Sequence, residues 1–288
     1  MKTSVECVPC FVRQTIDTMR GLGTGEGQIA EALREVMGRV AVFDFAEPPA
    51  AMGRDIHRLI RRATGVNDPF AEVKRRQNEF ALEVYPSVER MVREAPDPFE
   101  AAVRVAIAGN VIDHGSERTP AEEDMLATID RALHDPLEGS TRALFAAAEE
   151  ACSVLYLADN AGEIVFDRLL VECLDTARVT LAVRGGPAIN DALMADAASA
   201  GLTDIVRVID NGSDAPGTIL ADCSETFREA FESADLVISK GQGNYETVSA
   251  PPGGQVFYLL KAKCAVIAGH LDCERAAMVV RRDSDQGA

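Results

Sequence analysis

The chain has no tryptophan, and aromatic residues make up only 5% of its 288 positions. Alanine and valine must therefore fill much of the core. No apolar run reaches the ~18 to 20 residues that cross a bilayer as a helix. The opening MKTSVECVPC lacks the uninterrupted apolar stretch of a secretory leader. Basic residues are scarce: 29 lysines and arginines face 46 aspartates and glutamates, a net charge of −17. Such a surface repels phosphate backbones and anionic lipid, so neither nucleic acid nor membrane is an expected partner. A phosphorylated ligand would need local compensation from a metal, a lysine or a helix N-terminus. His57, His114 and His134 are solitary, which leaves Ser-His-Asp and HExxH chemistry without support. Seven cysteines is an odd count, and five are scattered singly. They read as reduced thiols of a cytoplasmic protein.

What is present is ordinary for a globular chain: 47% hydrophobic and 26% charged residues. The length suits about two domains and buries roughly three quarters of the unfolded surface, so no disulfide is needed. Residues 1–148 read as successive helices over 8–20, 28–42, 52–64, 69–92, 98–111 and 120–133. Apolar Ile29, Leu33, Val36 and Val40 show the helical spacing, and Pro98 and Pro120 mark first turns. Residues 149–288 change pattern. Short apolar runs at 153–158, 178–183, 204–209, 235–239, 255–260 and 264–268 alternate with helical stretches such as 191–200. This predicts an α/β domain whose mostly parallel sheet is covered on both faces, preceded by an all-helical domain. The tail after Val280 is expected to fray. Polar or glycine-rich clusters follow the runs, where ligands of open α/β sheets bind.

Four clusters carry chemistry. Asp159-Asn160-Ala161-Gly162-Glu163 offers hard oxygen ligands suited to Mg²⁺ or Mn²⁺, though an Asp cap with a nearby Glu reads the same way. Gly185-Gly186-Pro187-Ala188-Ile189-Asn190-Asp191 adds Asp191 as a third oxygen ligand, or only a helix cap. Ser239-Lys240-Gly241-Gln242-Gly243-Asn244 sets a lysine before backbone N–H groups that suit phosphate, and it is not a Walker sequence. Gly109-Asn110-Val111-Ile112-Asp113-His114-Gly115 ends a helix, and Asn110 or Asp113 can reach the crevice as its second wall. Cys7-Val8-Pro9-Cys10 lacks the second pair of a zinc ribbon and the βα context of a thioredoxin motif. It is read as buried thiols, or as part of a soft-metal or redox site with Cys264, His270 and Cys273.

ECVPC, AGNVID, DNAGEIVFD, RGGPAIND, NGSDAPGT and ISKGQGNYE occur in that order. Together they resemble the ARMT-like damage-control phosphatase family, in its prokaryotic, archaeal-type branch with an N-terminal CxxC. The resemblance spans nearly the whole chain. It implies a metal-dependent phosphatase of small phosphorylated metabolites, built as a helical domain on a three-layer α/β/α domain. It implies Asp159, Asn160 and Asp191 as ligands of a divalent ion (Mn²⁺, Co²⁺, Ni²⁺ or Mg²⁺). It implies Asn110 and Lys240 as contacts to the substrate phosphate. Lys240, with the backbone N–H groups of Gly241 to Asn244 and with Asn110, would hold the phosphate oxygens. Either a water on the metal or an oxygen of Asp159 is the attacking group, and Glu163 and Glu246 are candidates for proton transfer. Two rivals stand beside this: a carboxyl methyltransferase using S-adenosylmethionine, and a phosphometabolite-binding protein without turnover. The substrate, the native metal, the oligomeric state and the role of Cys7 and Cys10 do not follow from the residues.

Overall fold

Proline and glycine set the ends of the first helices. The computed structural model describes residues 1–109, 122–249 and 254–283. α1 (Val8–Gly21) has Pro9 in its first turn, α2 (Glu26–Val42) follows a glycine-rich break, and α3 (Pro49–Thr64) opens on Pro49. α3 stops at Gly65, whose φ of 72° is the left-handed conformation glycine adopts without a Cβ penalty. These three helices close on a core of their own: Phe11, Met19, Ile29, Val36, Met52, Ile56, Leu59 and Ile60.

The next elements join a different core. α4 (Ala71–Glu94), α5 (Pro98–Ala108), α6 (Glu122–His134) and α7 (Thr141–Glu150) pack against the sheet. Asp97 caps α5 by accepting from the Glu100 N–H at 3.0 Å, and Pro98 begins it. Ala101, Val105 and Ala108 of α5 share one cluster with strand residues such as Val154 and Phe257. The expected division at residues 148 and 149 therefore does not coincide with a packing boundary.

The sheet has seven strands: β1 (Leu137–Gly139), β2 (Val154–Leu157), β3 (Val179–Val183), β4 (Arg207–Asp210), β5 (Leu236–Lys240), β6 (Gln255–Lys261) and β7 (Met278–Arg282). Their order is β1-β7-β6-β5-β2-β3-β4, and only the β6–β7 pair is antiparallel. Alternation along each strand feeds two layers. Val154 and Tyr156 of β2 enter the core under α4 to α8, and Leu155 and Leu157 enter the opposite one. α8 (Glu163–Glu172) lies on the first face, while α10 (Glu225–Glu232), α11 (Gly241–Thr247) and α12 (Ala265–Leu271) supply the second through Phe227, Tyr245 and Ile267. The chain moves outward from β2 through β3 to β4, then returns to the other side of β2 as β5. A crevice therefore opens between the carboxyl ends of β2 and β5, where the strand order reverses.

Three expectations need correction. Residues 264–268 are not a strand: Cys264 precedes α12, whose Ile267, Ala268 and Leu271 face the core at helical spacing. The final strand is β7, which extends past Val280 because Arg281 and Arg282 pair with β6. The helix expected at 191–200 begins only at Met194, as α9 (Met194–Ser199), because Asp191 is drawn into a bridge with Asn160. No helix of the described residues is long and apolar enough to cross a membrane.

His57 of α3 is 1% exposed, edge-on to Phe70, and its Nε2 has no hydrogen-bond partner among the described residues. Burial, with the nearby Arg61 charge, lowers its pKa to about 4, against the pull of Asp214 and Asp68. The unfolded chain takes up a proton near pH 6.5 that the folded chain refuses until about pH 4. Stability from this residue is thus complete above pH 6.5 and is lost as pH falls through that window. Between pH 7 and 5 the loss comes to roughly 2 kcal/mol. Thermal melts should show a shallower decline over that range for His57→Leu than for the parent. Parallel declines would show that His57 does not titrate there.

Candidate active site

The site forms where β2, β3 and β5 end. After β2 the backbone of Asp159 stays tied to the neighbouring segment, its carbonyl accepting from the Ala192 N–H at 2.8 Å. An isolated antiparallel bridge joins Asn160 to Asp191, and the Ala161 N–H donates to the Asn190 carbonyl at 2.9 Å. Asp159, Asn160 and Asp191 are buried at 8%, 5% and 4% exposure, so the three oxygen donors expected from the sequence are brought together. The Asn160 Nδ2 donates to Asp159 Oδ2 at 2.8 Å and to Glu163 Oε2 at 3.0 Å. Held by its nitrogen, the amide presents Oδ1 to the other side.

Gly162 turns the chain into α8 with a φ of 74°. A side chain there would meet Gln77 of α4, and the Gly162 N–H instead donates to Asn78 Oδ1 at 2.7 Å. The Asn78 Nδ2 in turn donates to Asp196 Oδ1 at 2.7 Å. α4 thus fastens the loop after β2 to α9 from the helical side. The wall expected from Asn110 and Asp113 lies outside the described residues.

Lys240 ends β5 and is fully buried. Its Nζ donates to Glu163 Oε1 at 2.7 Å, to Asp167 Oδ1 and to the Ala106 carbonyl at 2.8 Å. Burial opposes its charge, yet Asp167 and Glu163 more than compensate and hold the ammonium above its ordinary pKa. The lysine stands between a strand and a glycine-rich turn, as expected, but its side chain enters a buried ion-pair cluster. All three donors are engaged beneath the site, because β5 carries the side chain onto the face covered by α5 and α8. The Asn244 side chain is also engaged within the protein. Its Nδ2 donates to the Ala158 and Lys240 carbonyls at 3.1 and 2.9 Å, and its Oδ1 accepts from Thr218 at 2.8 Å. This side chain ties the ends of β2 and β5 together.

Gly241 is the closest approach to Asp159. Its φ is 78°, and a Cβ would stand 1.8 Å from Asp159 Oδ2. Gly241→Ala should therefore displace the Asp159 carboxylate, lower the melting temperature and cut turnover by roughly 10²-fold, the cost of a small misplacement. Unaltered turnover would place the reaction elsewhere.

Arg184 is a buried cation of the crevice that sequence reasoning missed. It follows β3 directly before Gly185-Gly186 and is 2% exposed. Its Nε donates to Asp191 Oδ2 at 2.6 Å and its Nη1 to Thr218 Oγ1 at 3.2 Å. Its Nη2 has no hydrogen-bond partner among the described residues and lies 4.0 Å from Asp159 Oδ1. A buried arginine in this position was discoverable: a cation precedes the RGGP turn in a chain short of cations. Burial, then the Glu163 and Asp191 carboxylates, push the Asp159 pKa well above its ordinary value, with Arg184 and Lys263 pulling it down. The like charges of Glu163 and Asp191 beside Asp159 make a field that favours an added cation.

A divalent ion suits this donor set of two carboxylates and one carboxamide, which are hard oxygen ligands. No group of three His, Cys, Asp or Glu side chains among the described residues is arranged as a metal site. All seven cysteines are free thiols, but Cys10 is exposed and Cys7 only half-buried, so the pair is not the buried one expected, and partial burial raises the Cys7 pKa.

The ARMT1-like damage-control phosphatase domain model matches residues 3–279. A damage-control phosphatase of Pyrococcus horikoshii is 34% identical, over 98% of this chain and 99% of the relative. One from Archaeoglobus fulgidus is 32% identical, again over 98% of this chain and 99% of the relative. The crystal structure of a DUF89 family protein from Pyrococcus horikoshii superposes with a TM-score of 0.88 at 33% identity, covering 98% of this chain and 99% of that one. With the motifs in family order, one model across nearly its whole length and the same fold, the chain belongs to the ARMT1-like damage-control phosphatase family.

Proposed function

We propose that the protein is a divalent-metal-dependent phosphatase that hydrolyses phosphate esters of small metabolites, such as sugar phosphates and nucleotide- or cofactor-related phosphates. The observation that carries this is the meeting of Asp159, Asn160 and Asp191 across the Asn160–Asp191 bridge, with the Arg184 guanidinium beside them. The names of the relatives support the same reading. Asp159, Asn160 and Asp191 are the residues that would hold the ion, which supplies positive charge to non-bridging phosphate oxygens. Arg184 Nη2 donates to a phosphate oxygen from the opposite side. Its Nε keeps Asp191 in orientation through one carboxylate oxygen. Lys240 works from below: it keeps Glu163 in place, and Glu163 keeps the Asn160 amide turned. Asn110 would complete the phosphate cradle on the strength of the family resemblance, with Asp113 beside it.

The test is phosphate release from a panel of esters with Mn²⁺, Co²⁺, Ni²⁺ or Mg²⁺. Release that stops with chelator and returns with metal is the expected result. Methyl transfer from S-adenosylmethionine without metal, or ester binding without release, would replace the reading by one of its rivals.

A further inference from the structure

Side chains cap the starts of α5, α7 and α10: Asp97, Ser140 and Ser224 each accept from a backbone N–H. Cys7 holds the same position at α1 and makes no such bond. Sulfur is a weak acceptor, and serine or aspartate would cap better. Cys7-Val8-Pro9-Cys10 therefore places two thiols where they add little to the fold. Cys10 is exposed and Cys7 half-buried. Cys7 has helical dihedrals, and Pro9 lies between the two in the first turn. Residues three apart on a helix have Cα atoms ~5 Å apart. A disulfide spans ~4.4 to 6.8 Å between Cα atoms, so the pair is spaced to close. Helix N-termini and Cys-X-X-Cys spacing are also the settings in which thiols react.

The two thiols have neighbours that lead to the crevice. Besides burial, Glu246, Cys10 and Cys264 act on the Cys7 thiol through their charges, which gathers the four side chains in one locality. Glu246 belongs to α11, and Cys264 precedes α12 as another cap position without a side-chain bond. Gln242 joins them: its Nε2 donates to Glu246 Oε1 at 3.0 Å and lies 3.8 Å from Cys264 Sγ. Its Oε1 is buried without a hydrogen-bond partner among the described residues. The Gln242 amide is thus held on one side only, and a change among the sulfurs moves it at little cost. The residue before it is Gly241, whose backbone lies against the Asp159 carboxylate. α11 therefore runs from the oxygen donors to the thiols.

We propose that Cys7 and Cys10 form a reversible disulfide, a redox site whose state reaches the Asp159 crevice through Cys264, Gln242 and α11. The oxidant is a peroxide. The exposed Cys10 thiolate attacks one peroxide oxygen, the O–O bond breaks, and Cys10 becomes a sulfenic acid as hydroxide leaves. The Cys7 sulfur then displaces hydroxide from the Cys10 sulfur, and the S–S bond forms. The two thiol protons pass to the two hydroxides, so two thiols and one hydrogen peroxide give one disulfide and two waters. A dithiol reverses the step by exchange and is itself oxidised. Closing the bond draws the Cys7 sulfur towards Cys10 and away from Cys264, which unsettles Gln242. The disulfide itself does not depend on the phosphatase reading.

The experiment treats the full chain with a small excess of hydrogen peroxide or with dithiothreitol, and desalts both forms. Alkylation and trypsin follow. Lys2 and Arg13 bound a peptide, residues 3–13, that holds both thiols. After peroxide it should escape alkylation and weigh two hydrogens less, and after dithiothreitol both thiols should be alkylated. Hydrogen exchange of residues 241–247 should run faster in the oxidised form. With saturating Mn²⁺, release from p-nitrophenyl phosphate should fall about tenfold, the cost of a shift of roughly half an ångström at the oxygen donors. Dithiothreitol should restore it. Cys10→Ser, at an exposed position, should keep its exchange and turnover after peroxide. Alkylation of both thiols after peroxide, or Cys7 joined to Cys264 instead, overturns the inference. Equal α11 exchange or equal measurable turnover in the two forms overturns it too, as does a Cys10→Ser chain that loses as much turnover as the parent. Release from neither form overturns the phosphatase reading, while the peptide and the exchange still decide the redox site.

Discussion

Asp159→Ala should abolish phosphate release while the protein keeps its fold and its melting temperature. Asp159 is 8% exposed and shares its crevice with the carboxylates of Glu163 and Asp191. Its side chain is therefore held against repulsion and desolvation, and truncation relieves both. The backbone that anchors the residue, the Asp159 carbonyl on the Ala192 N–H, is untouched by the substitution. Activity has no such alternative. Removing a group that organises charge at the phosphate costs about 10² to 10³-fold or more. Phosphate release and a melting curve on the same sample decide the matter. Joint loss of fold and turnover would make Asp159 a structural cap.

Lys240→Ala should behave in the opposite way, with stability falling first. Its Nζ lies between Glu163 and Asp167 with no solvent exposure, and Tyr156 donates to the same Asp167 oxygen at 2.8 Å. Losing the cation leaves two buried carboxylates without their partner, a change that costs about 3 to 5 kcal/mol. For a chain of this size that lowers the melting temperature by roughly 10 °C. Neutralising the partners at the same time, with Glu163→Gln and Asp167→Asn added to Lys240→Met, should restore much of it. If Lys240→Ala melts like the parent and loses only turnover, the lysine leaves this nest to reach the phosphate, and the buried triad is not its working state.

The helical first half and the alternation of strand with helix were legible as period. Ile29, Leu33, Val36 and Val40 announce α2, and the runs at 153–158 and 235–239 announce β2 and β5, because hydrophobic spacing is a local property. The oxygen donors Asp159, Asn160 and Asp191 were legible too, since strand-end clusters of one chemistry point to one crevice. Residues 264–268 misled because a short apolar run fits a buried strand and a buried helix equally. β1 was missed because three residues, Leu137 to Gly139, carry no period.

Sequence alone determined the class of the fold, the acid-rich surface and the residue types that gather at the strand ends, since each follows from composition, period or motif order along the chain. Tertiary structure alone decided which charges meet. It buried Lys240 against Glu163 and Asp167 and spent Asn244 on fastening β2 to β5. It brought Arg184 beside Asp159. The reason is physical: a lysine in a turn has the same sequence signature whether its three donors meet water or carboxylates. Which it meets depends on the strand order that lays α5 and α8 over the end of β5.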